Sequence, residues 1–375
     1  MITVDKEKFT KMLEICQSIS VADSPDGKPQ SLRPLHAYVE LKVENDKLKM
    51  SVFRENIDGY FYYEPEEIKE EEEGSKIVVQ TQEILKIVRS RYPGIITITK
   101  EKNKDQEDLI IKQGSFKAKL RLYSDDVFSN FDFNADWKSM PKNVIRDLKA
   151  CSVVSDTQTI LMDIEGSEIS LFAYTPVQLY YSLIELKNSG NSIGRKILAM
   201  NTVKIITSCF ENMDDMEFSY KEEDEKFYIK SPIGSARFGL LYDDMPMHYK
   251  DNICIANLNK IKLDRKALLF IIESISNVLA SWDQLILLTA YIEQKIVHLK
   301  VTNKDLPAEA QESLVIEETD LIDNFSIGIP SASVIKCLKN LGDSYVELYF
   351  SSNDKPLFIK GCESNFSVGF MPFRI

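Results

Sequence analysis

The segment VDKEKFTKMLEICQSI, residues 4–19, has the period of an amphipathic helix. At 3.6 residues per turn, Phe9, Met12, Leu13 and Cys16 share one face, and the lysines lie off that face. The segment therefore predicts a helix that packs one side into a core.

The same helical pattern returns twice, in PKNVIRDLKACSVV, residues 141–154, and in KLDRKALLFIIESISNVL, residues 262–279. The expected core residues of these two copies are Val144, Leu148 and Cys151 in the first, and Leu268, Ile271, Ile272 and Ile275 in the second. Repetition at about 120 residues indicates a fold built from repeated units, and it outweighs any single motif.

Each copy is followed by the same series of elements. A hairpin pattern of alternating apolar residues around a polar turn comes first, in residues 38–53, 160–174 and 287–301. A strand that leads into a second helix comes next, in residues 77–90, 196–210 and 325–341. Antiparallel strands then close each unit. The sequence therefore predicts an α+β fold of three repeated domains, with the boundaries 1–134, 135–258 and 259–375.

Composition bounds the class of protein. The chain has 375 residues, a net charge of -12 and no run near the roughly 20 apolar residues that span a bilayer. Its first residues lack the apolar segment of an export signal, so we expect a cytoplasmic protein that does not enter membranes. Its six cysteines are far apart, which predicts reduced core residues and no disulfide. The negative charge argues against a protein that coats nucleic acid over its whole surface, but it does not exclude one whose positive charge is gathered on one face.

Positive charge recurs on the predicted helices. All six carry Lys or Arg away from the apolar stripe. These residues are Lys8, Lys11, Lys86, Arg89, Arg146, Lys149, Lys204, Arg265, Lys266, Lys336 and Lys339. Any solvated helix carries lysines, so an ordinary surface explains each of them taken alone. The recurrence in an acidic chain favours a surface that meets phosphates without reading base sequence.

The sequence lacks the motifs of common catalytic sites. It has no GxxxxGK[ST] phosphate loop, no HExxH and no GxSxG, and its three histidines are widely separated. Acidic pairs such as Asp125 and Asp126 follow strands or turns, which is typical of turn capping. We therefore expect a protein without a catalytic centre, a metal ion or a cofactor.

The chain ends FMPFRI, residues 370–375, and three earlier segments belong with that ending. They are RPLHAYVELKVENDKLKMSVF, residues 33–53, DDVFSNF, residues 125–131, and LLYDDMPMHY, residues 240–249. With these segments in this order and with its threefold repeat, the whole chain resembles the bacterial sliding clamp family, the β subunit of DNA polymerase III. The family ends in Met-Pro-Met-Arg-Leu, where this chain has Met-Pro-Phe-Arg-Ile.

The resemblance implies the DNA clamp fold, with the two helices of each domain on an inner face and antiparallel sheets outside. Two chains would pair head to tail as a homodimer, a ring of six domains around double-stranded DNA. Such a ring has no reaction of its own. It is a processivity factor that a clamp loader places on DNA and that tethers DNA polymerase and other proteins with a clamp-binding motif. The basic helix residues would then face DNA of any sequence.

The resemblance also implies a hydrophobic pocket for partner peptides. Carried over by position, its residues are Tyr174, Pro176, Val177, Leu179, Pro246, Met371, Pro372, Phe373 and Arg374. Where the family has Thr-Asp-Gly-His-Arg-Leu, this chain has Tyr-Thr-Pro-Val-Gln-Leu, so only Leu179 is kept. Gln178 lacks the charged fork of an arginine, and Pro176 is stiffer than the family's glycine. We therefore expect a pocket with an altered peptide preference.

For the dimer interface, the family pairs an edge strand of the first domain with one of the third. The positional matches are Leu120, Val278 and Leu279, which could equally be core residues. An alternative function from another class is an acidic interaction scaffold, or decoy, that has the clamp fold but does not encircle DNA.

Overall fold

A computed structural model of the chain describes most of its residues. They are residues 1–20, 38–54, 57–69, 74–103, 106–123, 133–154, 157–175, 178–186, 193–211, 213–221, 225–241, 258–277, 285–303, 308–353, 355–364 and 366–371. The helices described are α1 (Lys6–Ser20), α2 (Thr81–Arg89), α3 (Lys142–Val154), α4 (Met200–Phe210), α5 (Arg265–Asn277) and α6 (Ser331–Asn340). None of these helices is long and apolar enough to cross a membrane.

The strands follow in three series that match the predicted repeats. The first series is β1 (Ile2–Asp5), β2 (Tyr38–Glu44), β3 (Lys47–Arg54), β4 (Ile57–Tyr63), β5 (Glu67–Ile68), β6 (Lys76–Gln80), β7 (Ile95–Asn103), β8 (Gln106–Gln113) and β9 (Phe116–Arg121). The second is β10 (Lys138–Ser139), β11 (Thr159–Glu165), β12 (Glu168–Tyr174), β13 (Gln178–Glu185), β14 (Gly194–Ala199), β15 (Glu217–Lys221), β16 (Lys226–Ser231) and β17 (Gly234–Gly239). The third is β18 (Asn259–Asp264), β19 (Leu285–Tyr291), β20 (Ile296–Asn303), β21 (Ala308–Val315), β22 (Glu318–Thr319), β23 (Phe325–Pro330), β24 (Tyr345–Phe350), β25 (Leu357–Gly361) and β26 (Phe366–Phe370).

The chain packs as two compact units. Unit 1 consists of Met1–Lys142 and Lys204–Leu240, and unit 2 of Asn143–Val203 and Leu241–Ile375. Unit 1 holds a five-stranded sheet, β5-β1-β7-β8-β9, and an eight-stranded sheet, β10-β15-β16-β17-β4-β3-β2-β6. Unit 2 holds a nine-stranded sheet, β14-β11-β12-β13-β26-β25-β24-β18-β22, and a four-stranded sheet, β21-β20-β19-β23.

The two larger sheets are each joined from two repeats in the same way. In unit 1, β4 pairs antiparallel with β17, so that Gly59 lies opposite Ala236. In unit 2, β13 pairs antiparallel with β26, so that Leu179 lies opposite Gly369. In both sheets, the third strand after a repeat's first helix pairs with the last strand of the next repeat. Each compact unit therefore extends across a repeat boundary, and the division into three domains stays a prediction.

The helix cores and hairpins predicted from periodicity are confirmed. The apolar stripes predicted for α1, α3 and α5 are buried. The predicted hairpins are the antiparallel pairs β2–β3, β11–β12 and β19–β20. Asn45 and Asp46 make the first turn with φ values of 51° and 59°, a conformation that Asn and Asp tolerate better than most residues.

The cysteines follow the prediction with one exception. Cys16, Cys151, Cys209 and Cys337 are buried. Burial raises the pKa of Cys209 to about 12, which keeps it a neutral thiol. The prediction of a core position was wrong for Cys362, which is exposed because it directly follows β25 where the chain turns. Cys254 lies outside the described residues.

Candidate nucleic-acid interface and peptide pocket

Helix α1 presents Lys8 and Lys11 to solvent in unit 1. Asp5 caps the start of the helix, since its Oδ1 accepts hydrogen bonds from the backbone N–H groups of Glu7 (3.0 Å) and Lys8 (2.9 Å). The apolar stripe faces the core, so the two lysines project from the other side. Lys8 Nζ lies 3.6 Å from a carboxylate oxygen of Glu66, at an exposed position where such a pair holds the lysine only weakly.

Helix α2 packs against α1 and adds two more cations to unit 1. Ile84, Leu85 and Val88 are buried, so that Lys86 and Arg89 are exposed in the last turn. Cations at this end are favoured by the partial negative charge of the helix C-terminus. The alternation of buried and exposed positions therefore fixes the outward direction of both predicted residues.

A groove open to solvent lies where α1, α2 and α4 meet in unit 1, with a volume of about 670 Å³. Its lining residues are Lys11, Glu14, Ile15, Gln17, Ser18, Arg89 and Ser208. Arg89 donates hydrogen bonds from Nε (3.2 Å) and Nη2 (2.9 Å) to Glu14 Oε1. The groove can contact a phosphate through Lys11 and Arg89, but the guanidinium of Arg89 already has a carboxylate partner.

Unit 2 presents five of the predicted cations as exposed side chains. They are Arg146 and Lys149 on α3, Lys266 on α5, and Lys336 and Lys339 on α6. Lys339 Nζ lies 2.8 Å from Glu273 Oε1, which joins α6 to α5. The cations of unit 2 therefore include one with an acidic partner on the neighbouring helix, as in unit 1.

Arg265 differs from the other predicted cations because its donors are used within the chain. Nε donates to the carbonyl oxygen of Asp343 (2.6 Å), and Nη1 donates to that of Leu338 (2.8 Å). These bonds tie the start of α5 to the end of α6, where helix carbonyls have no partner within the helix. Arg265 therefore has a structural role, and its predicted role as a DNA-facing residue stays a prediction.

The repeats place several exposed residues at equivalent positions. Lys86, Lys204 and Lys336 each follow two buried residues of a second helix, and another buried residue comes two positions later. On the first helices, Lys11 and Arg146 each lie midway between two buried residues four positions apart. The third repeat has Phe270 at that position, and its side chain is 66% exposed. The second helices therefore keep a lysine in every repeat, whereas the first helices do not keep their cation.

Asp147 on α3 is a buried carboxylate that the sequence did not single out. Its Oδ2 accepts a hydrogen bond from Ser182 Oγ (2.5 Å), its Oδ1 accepts one from Arg146 Nε (3.0 Å), and its carbonyl oxygen accepts one from Tyr180 Oη (2.7 Å). Burial raises the pKa of Asp147, and the bonds from Ser182 and Arg146 oppose that rise. The network fixes α3 to β13 and holds Arg146 at its exposed position.

The described part of the predicted peptide pocket lies on one face of the nine-stranded sheet. Tyr174 and Met371 are each 44% exposed, at the ends of β12 and β26. Leu179 packs against an apolar cluster formed by Leu161, Phe172, Ile197 and Phe358. Gly369 lies opposite Leu179, where an added Cβ would lie only 2.8 Å from Phe358 Cε1. The structure thus places Tyr174, Leu179 and Met371 on or next to adjacent strands, with an apolar cluster beneath Leu179.

Several predicted residues lie outside the described part of the chain. They are Pro176, Val177, Pro246, Pro372, Phe373 and Arg374 of the pocket, and Val278 and Leu279 of the dimer interface. Leu120 is described: it is buried on β9, the strand that ends the five-stranded sheet. Among the residues that the structure describes, no group of three or more His, Cys, Asp or Glu side chains could hold a metal ion.

No protein-family model and no curated protein sequence matches the chain. Solved structures match it over its whole length. A putative DNA polymerase III beta subunit from Eubacterium rectale has a TM-score of 0.79 and 15% identity, with 100% of this chain and 99% of that chain covered. The Helicobacter pylori beta clamp bound to a DNA ligase peptide has a TM-score of 0.79, 17% identity and 100% of both chains covered.

A third match is the Pseudomonas aeruginosa sliding clamp, DNA polymerase III subunit beta, bound to griselimycin. It has a TM-score of 0.82 and 15% identity, with 100% of this chain and 99% of that chain covered. At identities this low, the matches show a shared architecture and do not show shared site residues. The chain therefore has the fold of the DNA polymerase III beta subunit, the bacterial sliding clamp.

Proposed function

We propose that this chain is a DNA sliding clamp, a non-catalytic processivity factor that encircles duplex DNA as a ring of two copies. In the cytoplasm it would be placed on DNA by a clamp loader and would tether a DNA polymerase and other proteins that carry a clamp-binding motif. The clamp fold supports this proposal, and so do the exposed cations of the helices. The observation that carries it is the pattern of sheet joining along the repeats.

Among the described residues, the edge strands β21 and β9 each pair with a neighbouring strand on one side only. Strand β21 is the third strand after α5, as β4 and β13 are the third strands after the first helices of their repeats. Strand β9 is the last strand of the first repeat, as β17 and β26 are of theirs. Since β4 pairs with β17 and β13 with β26, we infer that β21 pairs antiparallel with β9 of a second copy. The repeats then continue head to tail, and two copies would close a ring.

The two edges carry opposite charge. Strand β9 presents Lys117, Lys119 and Arg121 as exposed side chains, and β21 presents Glu309 and Glu312. A basic edge beside an acidic edge favours the pairing of β9 with β21 over the pairing of either edge with itself. The charges therefore support a head-to-tail dimer and oppose a head-to-head one.

Reversing one edge is expected to weaken the dimer. Lys117→Glu with Arg121→Glu places like charges on both edges and should cost about 1 kcal/mol for each reversed pair. The mass measured by light scattering should then fall from twice the chain mass of 43.0 kDa toward the single chain at concentrations where the wild type stays paired.

The matched control restores the complementarity. Glu309→Lys with Glu312→Lys should also weaken the dimer when made alone, and all four changes in one chain should recover the doubled mass. A wild-type chain that stays monomeric, or a double variant with undiminished mass, would contradict the β9–β21 interface. A strict monomer would favour the scaffold that does not encircle DNA.

We further infer that Tyr174, Leu179 and Met371 form part of a pocket for short apolar peptides. The apolar cluster beneath Leu179, the stacking of Tyr174 on Phe172 and the half-exposure of Tyr174 and Met371 support a surface that can bury a peptide side chain. The structural neighbours include a beta clamp bound to a DNA ligase peptide and one bound to griselimycin. The pocket residues outside the described part stay predictions.

Truncating the pocket is expected to remove peptide binding. Tyr174→Ala and Met371→Ala should each weaken peptides selected on the wild-type chain from a displayed library by about thirtyfold, near 2 kcal/mol, as at the centre of other interfaces. Fluorescence anisotropy of the labelled peptides would measure this. Tyr92→Ala and Ile322→Ala are matched controls at residues 82% and 90% exposed, and they should change nothing. Equal binding by the pocket variants and these controls would contradict the pocket.

A further inference from the structure

One ion pair joins the two helices of the first repeat, and an equivalent pair joins those of the third repeat. In unit 1, Arg89 of α2 donates two hydrogen bonds, of 3.2 and 2.9 Å, to Glu14 of α1. In unit 2, Lys339 of α6 lies 2.8 Å from Glu273 of α5. All four side chains are partly exposed to solvent. Both cations belong to the set predicted to face DNA, so each already has a negative partner within the chain.

The two pairs occupy the same positions of the repeat. Glu14 and Glu273 are the ninth residues of α1 and α5, and Arg89 and Lys339 are the ninth residues of α2 and α6. The middle repeat has Lys149 at the position of Glu14, since each of these residues directly follows a buried residue of the apolar stripe. The carboxylate is therefore a feature of two repeats out of three and not a general requirement of the helix.

A stabilising role accounts poorly for these pairs. The side chains of Glu14 and Arg89 are 44% and 54% exposed, and those of Glu273 and Lys339 are 37% and 57% exposed. Exposed ion pairs contribute between about 0 and 1 kcal/mol to stability, because solvent screens them and the side chains lose freedom. The helices are already held by their buried apolar residues. A carboxylate beside a DNA-facing cation has a larger effect on phosphate binding, because it competes for the same cation.

We propose that Glu14 and Glu273 act as built-in counter-ions that weaken the ring's hold on DNA phosphates. This inference rests on the proposed function. A cation paired with a carboxylate must give up or share that partner to contact a phosphate. It therefore neutralises less phosphate charge, and releases fewer of the counter-ions condensed on the DNA, than the same cation would without the carboxylate. A ring that slides along DNA benefits when the free-energy minima of its phosphate contacts are shallow. The two glutamates make those free-energy minima shallower in the first and third repeats.

The test replaces both carboxylates by their neutral isosteres, Glu14→Gln with Glu273→Gln. Binding of a fluorescein-labelled duplex would be followed by anisotropy over a series of KCl concentrations. We expect tighter binding at low salt and a steeper slope of log K against log salt, by up to about 0.9 for each freed cation that gains a phosphate. Sliding of the variant on stretched DNA, followed by single-molecule fluorescence, should be slower than that of the wild type.

The control Glu168→Gln with Glu363→Gln makes the same change in net charge at exposed residues away from the helices. A slope for the helix variant equal to that of this control would overturn the inference, as would a lower unfolding temperature with an unchanged slope. Lys86→Glu separates the two claims. If the wild type binds the duplex and Lys86→Glu weakens it, the DNA-facing surface stands whatever the glutamates do. If the wild type shows no salt-dependent binding, the proposed function itself fails.

Discussion

The second helix of each repeat carries a lysine at the same position, and reversing the charge of all three, Lys86→Glu with Lys204→Glu and Lys336→Glu, is expected to weaken duplex binding. At low salt the loss should be at least about a thousandfold. Binding without base recognition is almost entirely electrostatic, and each reversal replaces an attraction to phosphate by a repulsion. A ring of two copies carries every change twice. Anisotropy of a labelled duplex measures the loss, and the salt slope should fall by up to about 0.9 for each phosphate contact removed.

The control variant carries the same added charge elsewhere. Lys47→Glu with Lys102→Glu and Lys355→Glu reverses three exposed lysines on strands and turns. This variant should bind the duplex within a few-fold of the wild type, because charges beyond a Debye length of about 10 Å from the DNA are screened. An equal loss in both variants would mean that net charge alone governs binding. No loss in either would mean that the helices do not face DNA.

Asp58→Ala is expected to open the join between β4 and β17. Asp58 is fully buried, and its two carboxylate oxygens accept hydrogen bonds of 2.8 and 2.6 Å from Nε of Arg237, which lies directly opposite on β17. Lys226 Nζ lies 3.6 Å from the same carboxylate. Removing one partner of a buried pair leaves an uncompensated charge and costs about 3–5 kcal/mol. Backbone amides of β4 and β17 should exchange hydrogen about 100-fold faster or more.

An exposed ion pair of similar geometry provides the comparison. Lys47 Nζ lies 2.8 Å from Glu64 Oε1, with side chains 46% and 77% exposed. Glu64→Ala should cost less than about 1 kcal/mol and leave the exchange of β4 and β17 unchanged. Equal effects of Asp58→Ala and Glu64→Ala would show that the buried pair does not hold the join.

Periodicity was enough to predict the helices and hairpins of this fold. The 3.6-residue spacing of Phe9, Leu13 and Cys16 returns in α3 and α5, and these residues are buried because a helix of this length needs an apolar stripe to be stable. The order of elements in the chain followed from the repetition. How the sheets of successive repeats pair could not be read from it, because the strand pattern shows which face is buried but not which edge is joined.

Buried charges were the features that the sequence concealed. Asp58 and Arg237 are 179 residues apart, and each sits in a strand where alternation alone assigns it to a polar face. Asp147 similarly appears beside Arg146 as one of two charges on a helix, although one is buried and the other exposed. The partner of such a residue can be identified only when it is known which strands pair, or which helix packs on which strand. Glu14 and Glu273 differ from these buried charges, because aligning the repeats of the sequence already places the two glutamates at equivalent positions.

The candidate interface and pocket were also predictable only in part, because they depend on how the elements pack against one another. Exposure of the helix cations followed from the apolar stripes, whereas the bonds of Arg265 to two carbonyl oxygens depend on how α5 meets α6. The pocket residues came from resemblance to a family, position by position. The apolar floor beneath Leu179 depends on Phe358, which approaches closely because Gly369 has no side chain.

The claim that the protein encircles DNA is tested most directly by threading. A linear duplex is fixed to a bead by one end, the protein is added, and the free end is then blocked by a bulky bound protein. The bead is washed at about 1 M salt, where electrostatic contacts are screened within about 3 Å. A closed ring should stay on the duplex and leave when the DNA is cut, and no protein should stay when the end is blocked first. Loss of the protein in the salt wash whatever the order of blocking would contradict a closed ring.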